Sequence, residues 1–169
     1  ARTDTNVAGN VSVTASFAIN TYNLTYTAGS GGTISGTNPQ TVNYGANGTE
    51  VTAVPNTGYH FVQWSDDVMT ANRTDLSVAS DISVTATFAI NTYTLTYTAG
   101  SHGSITGTSP QTVNYGSSGA QVTAVADTGY HFTSWSDGVL TAARTDTNVA
   151  GNVSVTASFA VNAYTLTYT

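Results

Sequence analysis

Apolar and hydroxyl-bearing residues alternate along much of this chain. In Tyr93-Thr94-Leu95-Thr96-Tyr97-Thr98 the rings and the leucine fall on one face and three threonines on the other. Ile82-Ser83-Val84-Thr85-Ala86-Thr87-Phe88 repeats the pattern, with Ile82, Val84 and Phe88 inward. A period of two belongs to a half-buried β-strand. Shorter strands are expected at Thr112-Val113-Asn114-Tyr115, Gln121-Val122-Thr123-Ala124-Val125 and Tyr130-His131-Phe132, with tight turns at Gly100-Ser101-His102-Gly103 and Gly116-Ser117-Ser118-Gly119. No stretch of a dozen residues has helical periodicity. At most one helical turn is expected, within Asp137–Ala143.

The pattern itself repeats. Arg2, Arg73 and Arg144 stand 71 residues apart (73 − 2 and 144 − 73), as do Asn20, Asn91 and Asn162. Tyr59-His60-Phe61 returns as Tyr130-His131-Phe132, and Trp64 as Trp135. The expected organisation is the last part of one repeat at 1–21, complete repeats at 22–92 and 93–163, and the first strand of a further repeat at 164–169. Segments 1–27 and 143–169 differ only at Ile19/Val161, Thr21/Ala163 and Asn23/Thr165, so a longer covalent array is expected around this segment. Between the complete repeats every aromatic residue is kept, while exchanges such as Met69/Leu140, Ile82/Val153 and Ile90/Val161 preserve volume. Those are the changes a packed core tolerates, and the aromatics are read as core. The fold class is therefore all-β: small sheet modules of 71-residue period, arranged as a beads-on-a-string rod in which neighbouring repeats support one another.

Composition narrows the partners. Three arginines and no lysine stand against nine acidic residues, for a net charge of −6. Arginines so sparse and so evenly spaced form no basic patch, which excludes nucleic acid as an expected partner. No apolar run is long enough for membrane insertion. Aromatics at 10% and hydrophobic residues at 40% distinguish the chain from a disordered acidic tail. Cysteine is absent, which removes disulfides and thiolate metal sites. Abundant Thr, Ser, Asn and Gly with little charge suits a secreted β-protein.

The succession Tyr-Thr-Leu-Thr-Tyr (93–97), Gly-Ser-Ile-Thr-Gly (103–107), Gly-Ala-Gln-Val-Thr-Ala (119–124), Gly-Tyr-His-Phe-Thr-Ser-Trp (129–135) and Val-Ser-Val-Thr-Ala-Ser-Phe-Ala (153–160) resembles the divergent internalin B-repeat family of bacterial surface proteins. The resemblance covers essentially the whole chain. It implies a small β-rich module akin to the β-grasp, with little or no helix, arrayed in secreted or wall-attached proteins as stalks and adhesin shafts. It carries over no catalytic residue and no cofactor.

His60 and His131 lie between inward-facing rings and should point outward, with no second recurring ligand to form a metal site, and His102 has Gly31 as its counterpart. Trp64 with Asp66, and Trp135 with Asp137, are the ligand-binding candidates: an indole beside a carboxylate can stack on a sugar, although a core indole followed by a turn aspartate is the preferred reading. Calcium at Asp66-Asp67 is disfavoured because Asp67 becomes Gly138. Arg73 with Asp75, and Arg144 with Asp146, repeat the Arg2 and Asp4 pair and read as structural ion pairs or contacts between modules. No serine nucleophile or paired-carboxylate arrangement recurs, so no catalytic residue is assigned. Without lysine, Lys-Asn isopeptide crosslinks are excluded. Sequons such as Asn10-Val11-Ser12 and Asn72-Arg73-Thr74 follow from the Asn and Thr content.

Three functions follow. The first is an extracellular or cell-surface stalk, spacer or fibre unit, with self-association into fibres through sheet edges. The second is a multivalent adhesin binding glycan or protein weakly at each repeat, and the third, for which no reacting group was found, is an enzyme.

Overall fold

The computed structural model describes residues 1–168, and all of its regular structure, from Thr21 to Val161, is β-strand. The first module contains β1 (Thr21–Ala28), β2 (Gly32–Ser35), β3 (Gln40–Asn43), β4 (Val51–Pro55), β5 (Tyr59–Trp64), β6 (Asn72–Arg73) and β7 (Ile82–Ile90). The second repeats them as β8 (Thr92–Ala99), β9 (Gly103–Thr106), β10 (Gln111–Asn114), β11 (Val122–Ala126), β12 (Tyr130–Trp135), β13 (Ala143–Arg144) and β14 (Val153–Val161).

Each module folds as two sheets. In the first, a four-stranded sheet runs β3-β1-β7-β5 and a three-stranded sheet runs β2-β4-β6; in the second, the orders are β10-β8-β14-β12 and β13-β11-β9. All pairings are antiparallel except the central one. There the first and last strands of a module lie side by side and parallel, Leu24 opposite Ile82 and Ala28 opposite Ala86. A parallel pair needs a long crossover between its strands. Here the crossover is the rest of the module: β3 and β5 become the edges of the four-stranded sheet, while β2, β4 and β6 form the second sheet, where a β-grasp would place a helix.

Alternation then fills the space between the sheets. Leu24 and Tyr26 of β1, Val84, Ala86 and Phe88 of β7, Val51 and Ala53 of β4, and Trp64 of β5 form one buried cluster, joined by Val78 from the loop before β7. Leu95, Tyr97, Val122, Ala124, Trp135, Val149, Val155 and Ala157 repeat it in the second module. Burying such side chains contributes about 1.5–3 kcal/mol each relative to leaving them exposed.

Strict alternation would fail in β5, because Phe61 and Trp64 are three residues apart and cannot share one face of a regular strand. A β-bulge resolves the conflict. The register against β7 shifts between Phe61 and Gln63, so that Phe61 faces Phe88 and Trp64 faces Ala86, both inward. The same shift occurs between Phe132 and Ser134 in β12.

One expectation is corrected. The Asp137–Ala143 segment makes no helical turn: the chain reverses in a β-turn, the Gly138 N–H donating to the Trp135 carbonyl at 2.9 Å. Strands β9 and β13 and their counterparts were not foreseen. Residues 164–168, with the sequence of a first strand, form none, and residues 1–20 form none either. The physical reason is visible in identical residues. Val13 is 56% exposed, whereas Val155, in the same local sequence, is 5% exposed because β8 and β12 flank its strand. The rest of the 164–169 expectation, at Thr169, lies outside the described residues.

Candidate functional site

The polar interior of each module is organised around one arginine. Arg73 ends the two-residue strand β6, held opposite Val51 of β4, and its side chain is only 7% exposed. Its guanidinium grips Asp75 with two parallel bonds, Nε to Oδ2 at 3.0 Å and Nη2 to Oδ1 at 2.6 Å, while Nη1 donates to Asp66 at 2.8 Å. The guanidinium carbon lies 5.6 Å from the centroid of the Trp64 ring, within cation–π range. The Tyr26 hydroxyl donates to Asp75 at 2.7 Å, and its ring meets Trp64 edge-on with centroids 6.0 Å apart.

The second module reproduces the constellation. Arg144 bonds Asp146 at 2.8 and 2.7 Å and Asp137 at 2.9 Å, lies 5.7 Å from the Trp135 centroid, and shares Asp146 with the Tyr97 hydroxyl at 2.7 Å. By contrast Arg2 and Asp4, the same motif in the N-terminal segment, pair in solvent. The pairs at Arg73 and Arg144 are therefore internal to a module and shielded. They are not contacts between modules.

Their electrostatics follow from this shielding. Burial pushes the Asp75 carboxyl up, but the hydrogen bonds from Arg73 and Tyr26 more than reverse it, so the group titrates below the usual carboxylate range. Asp146 is held low chiefly by its hydrogen bond from Arg144. Burial, then the hydrogen bond to Asp75, raises Tyr26 above an ordinary phenol, and Tyr97 behaves alike beside Asp146.

The four ligand-binding candidates thus sit in one place, each tryptophan with its aspartate and arginine. Trp64 and Trp135 are fully enclosed, and each indole N–H donates at 3.0 Å to a loop carbonyl, that of Thr70 or Thr141. As placed, neither ring presents a face to a ligand. Asp66 and Asp137, partly exposed, are already paired with arginine. Asp67 and Gly138 both adopt positive φ, +67° and +86°, which explains why two such different residues alternate at that turn position. His60 and His131 are exposed, each with Nδ1 against an asparagine Oδ1, Asn91 at 2.8 Å and Asn162 at 2.9 Å. His102, at φ +71°, stacks on Tyr130 with centroids 4.0 Å apart.

Sequence reasoning missed the glutamines. Gln40 and Gln111 are buried, and each amide closes the following loop: Gln111 donates to the carbonyls of Thr108 and Ala120 and accepts from the Ala120 N–H at 2.7 Å. Their signal was a polar residue kept at an inward strand position in both repeats.

Every buried side-chain polar atom among the described residues has a hydrogen-bond partner. The arginine centre is thus a closed network. Fold and centre together define a tandem all-β repeat protein whose modules are each fastened internally by a shielded arginine. Comparison with protein families identifies it further: the Divergent InlB B-repeat domain matches residues 22–92 and 93–163, and the chain belongs to that family. The family is associated with bacterial surface proteins. Comparison with curated proteins gives no match, and neither does comparison with solved structures.

Proposed function

We propose that this chain is a load-carrying spacer of a long extracellular bacterial surface or fibre protein, serving as stalk or filament unit and performing no catalysis. The observation that carries this reading is how the modules are joined. The central strand β7 of one module passes into the central strand β8 of the next through a single residue, Asn91. Tension applied along the array enters each module at adjacent parallel strands, which are joined along their length by backbone hydrogen bonds and must be sheared apart together. A module loaded in this way resists extension better than one peeled open from an edge. The polar centre supports the same reading, since its groups are engaged with one another.

Single-molecule pulling on the full chain tests it. Two force peaks are expected, each releasing one module, with extension gains of at most about 230–260 Å for 71 residues at the usual extended length per residue. Extension without resolvable peaks would defeat the proposal.

A second reading, the multivalent adhesin, is favoured by one feature. Met69 and Leu140 stand largely exposed at equivalent loop positions, offering one weak apolar contact per repeat. Binding to a glycan or protein array that is lost in Met69→Ser with Leu140→Ser, the fold being kept, would establish it.

A further inference from the structure

The linker residue has no free backbone group. Asn91 donates its N–H to the Gly58 carbonyl in the turn between β4 and β5 at 2.8 Å, and its own carbonyl accepts the Tyr115 N–H at the end of β10, also at 2.8 Å. Its side-chain oxygen lies 2.8 Å from His60 Nδ1. One residue is thus tied backward to the first module and forward to the second. Across this link the Tyr115 ring rests on Gly58. A Cβ placed on that glycine would fall 2.2 Å from the Tyr115 Cδ1, so the ring occupies the space a side chain would need. On its other side Tyr115 is 6.5 Å, centroid to centroid, from Tyr93, which packs on the second core.

The remaining copies separate what belongs to a module from what needs a neighbour. Asn162 N–H donates to the Gly129 carbonyl at 2.8 Å, and Tyr44 N–H donates to the Asn20 carbonyl at 2.8 Å, so the backbone ties are present at both outer ends. The ring contact is not. Gly129 has nothing within 4 Å of its would-be Cβ, and Tyr44, with no complete module before it in this chain, is 58% exposed. Positive φ at Gly58 and Gly129, +82° and +87°, accounts for a glycine in both turns. It does not account for a tyrosine seated on one of them.

We infer that each repeat carries the two halves of a docking interface, a tyrosine at its leading end and a bare glycine turn at its trailing end, and that the partner this surface fits is another copy of the same repeat. Seated together, with the asparagine linker tied on both sides, they hold successive modules in one fixed orientation. This goes beyond the spacer reading, because modules on loose joints would also act as a spacer. The force peaks proposed above do not depend on it.

The test is the spread of the distance between modules. The chain contains no cysteine, so Thr33→Cys and Ser104→Cys, equivalent exposed strand positions, place one spin label in each module. Electron–electron double resonance should give one narrow distance. Tyr115→Ala should at least double its width while the thermal transition of the modules stays in place. Tyr44→Ala, the same change where no complete module precedes, should leave the width unaltered. His60→Ala, which frees the Asn91 side chain without touching either core, should broaden it by a smaller amount. A broad distribution in the unmodified chain, or equal widths for Tyr115→Ala and the parent, would overturn the inference. So would equal broadening by Tyr44→Ala.

Discussion

Replacing Arg144 by methionine removes a charge from the second module while keeping an unbranched side chain of similar reach. In the folded state this leaves the Asp146 carboxylate, 18% exposed, with the Tyr97 hydroxyl as its remaining partner, while Asp137, 39% exposed, can recruit water. Removing one partner of a buried ion pair costs about 3–5 kcal/mol, because the other charge stays desolvated. Residual access at Asp146 and the surviving hydroxyl bond place the expectation at the lower end, about 3 kcal/mol. A domain of this size is stabilised overall by roughly 4–10 kcal/mol, so the loss is a large fraction of the total. At about 4–8 °C per kcal/mol it lowers the melting temperature of that module by roughly 12–24 °C. Chemical denaturation, with hydrogen exchange resolving the two modules, should show the second unfolding first while the first is unchanged. Asp146→Asn in the same chain should restore part of the loss. Arg2→Met, the same substitution in the exposed copy, should stay within about 0.5 kcal/mol. A cost below about 1 kcal/mol for Arg144→Met would refute the reasoning, since it would mean the shielded pair contributes no more than a surface one.

Other expectations concern pH and packing. Asp75 and Asp146 are held below the ordinary carboxylate value, so their contribution is complete above about pH 4 and is lost as pH falls through their folded-state values; acid titration of the melting temperature should show the decline beginning there, and a flat profile down to pH 2 would contradict it. Tyr26 and Tyr97 are raised, so their contribution is intact below about pH 10 and lost above it, and Tyr97→Phe should flatten the alkaline limb for the second module. Gly32→Ala and Gly103→Ala would set a methyl 2.3 Å from the rings of Phe88 and Phe159, costing about 1–3 kcal/mol by overpacking, whereas Gly9→Ala, with nothing within 4 Å, should be silent in the same melts. Gln111→Leu removes the amide that closes the 111–120 loop and should cost about 1–3 kcal/mol, read as faster hydrogen exchange at Ala120.

The alternation of threonine with tyrosine, leucine and valine determined by itself that the long strands form and which of their faces turn inward, because a period of two permits no other amphipathic element. The 71-residue recurrence determined the modules, and the constancy of the rings marked Tyr26, Phe61, Trp64 and Phe88 and their counterparts as core. Tyr44 and Tyr115 recur as faithfully and are not core: Tyr44 is 58% exposed and Tyr115 lies on Gly58 of the preceding module. Even the bulge was implicit, since Phe61 and Trp64 cannot share a face of a regular strand. What the sequence could not supply was partnership across distance. Nothing local to Arg73 says that Asp66 and Tyr26 meet it, because those residues arrive from β1 and from the turn after β5 only when the two sheets close. The parallel pairing of β1 with β7 is likewise a product of the crossover between them. Val13 and Val155 make the division plain: the same residue in the same local sequence is solvated in one place and buried in the other, because burial depends on flanking strands that only the assembled module provides.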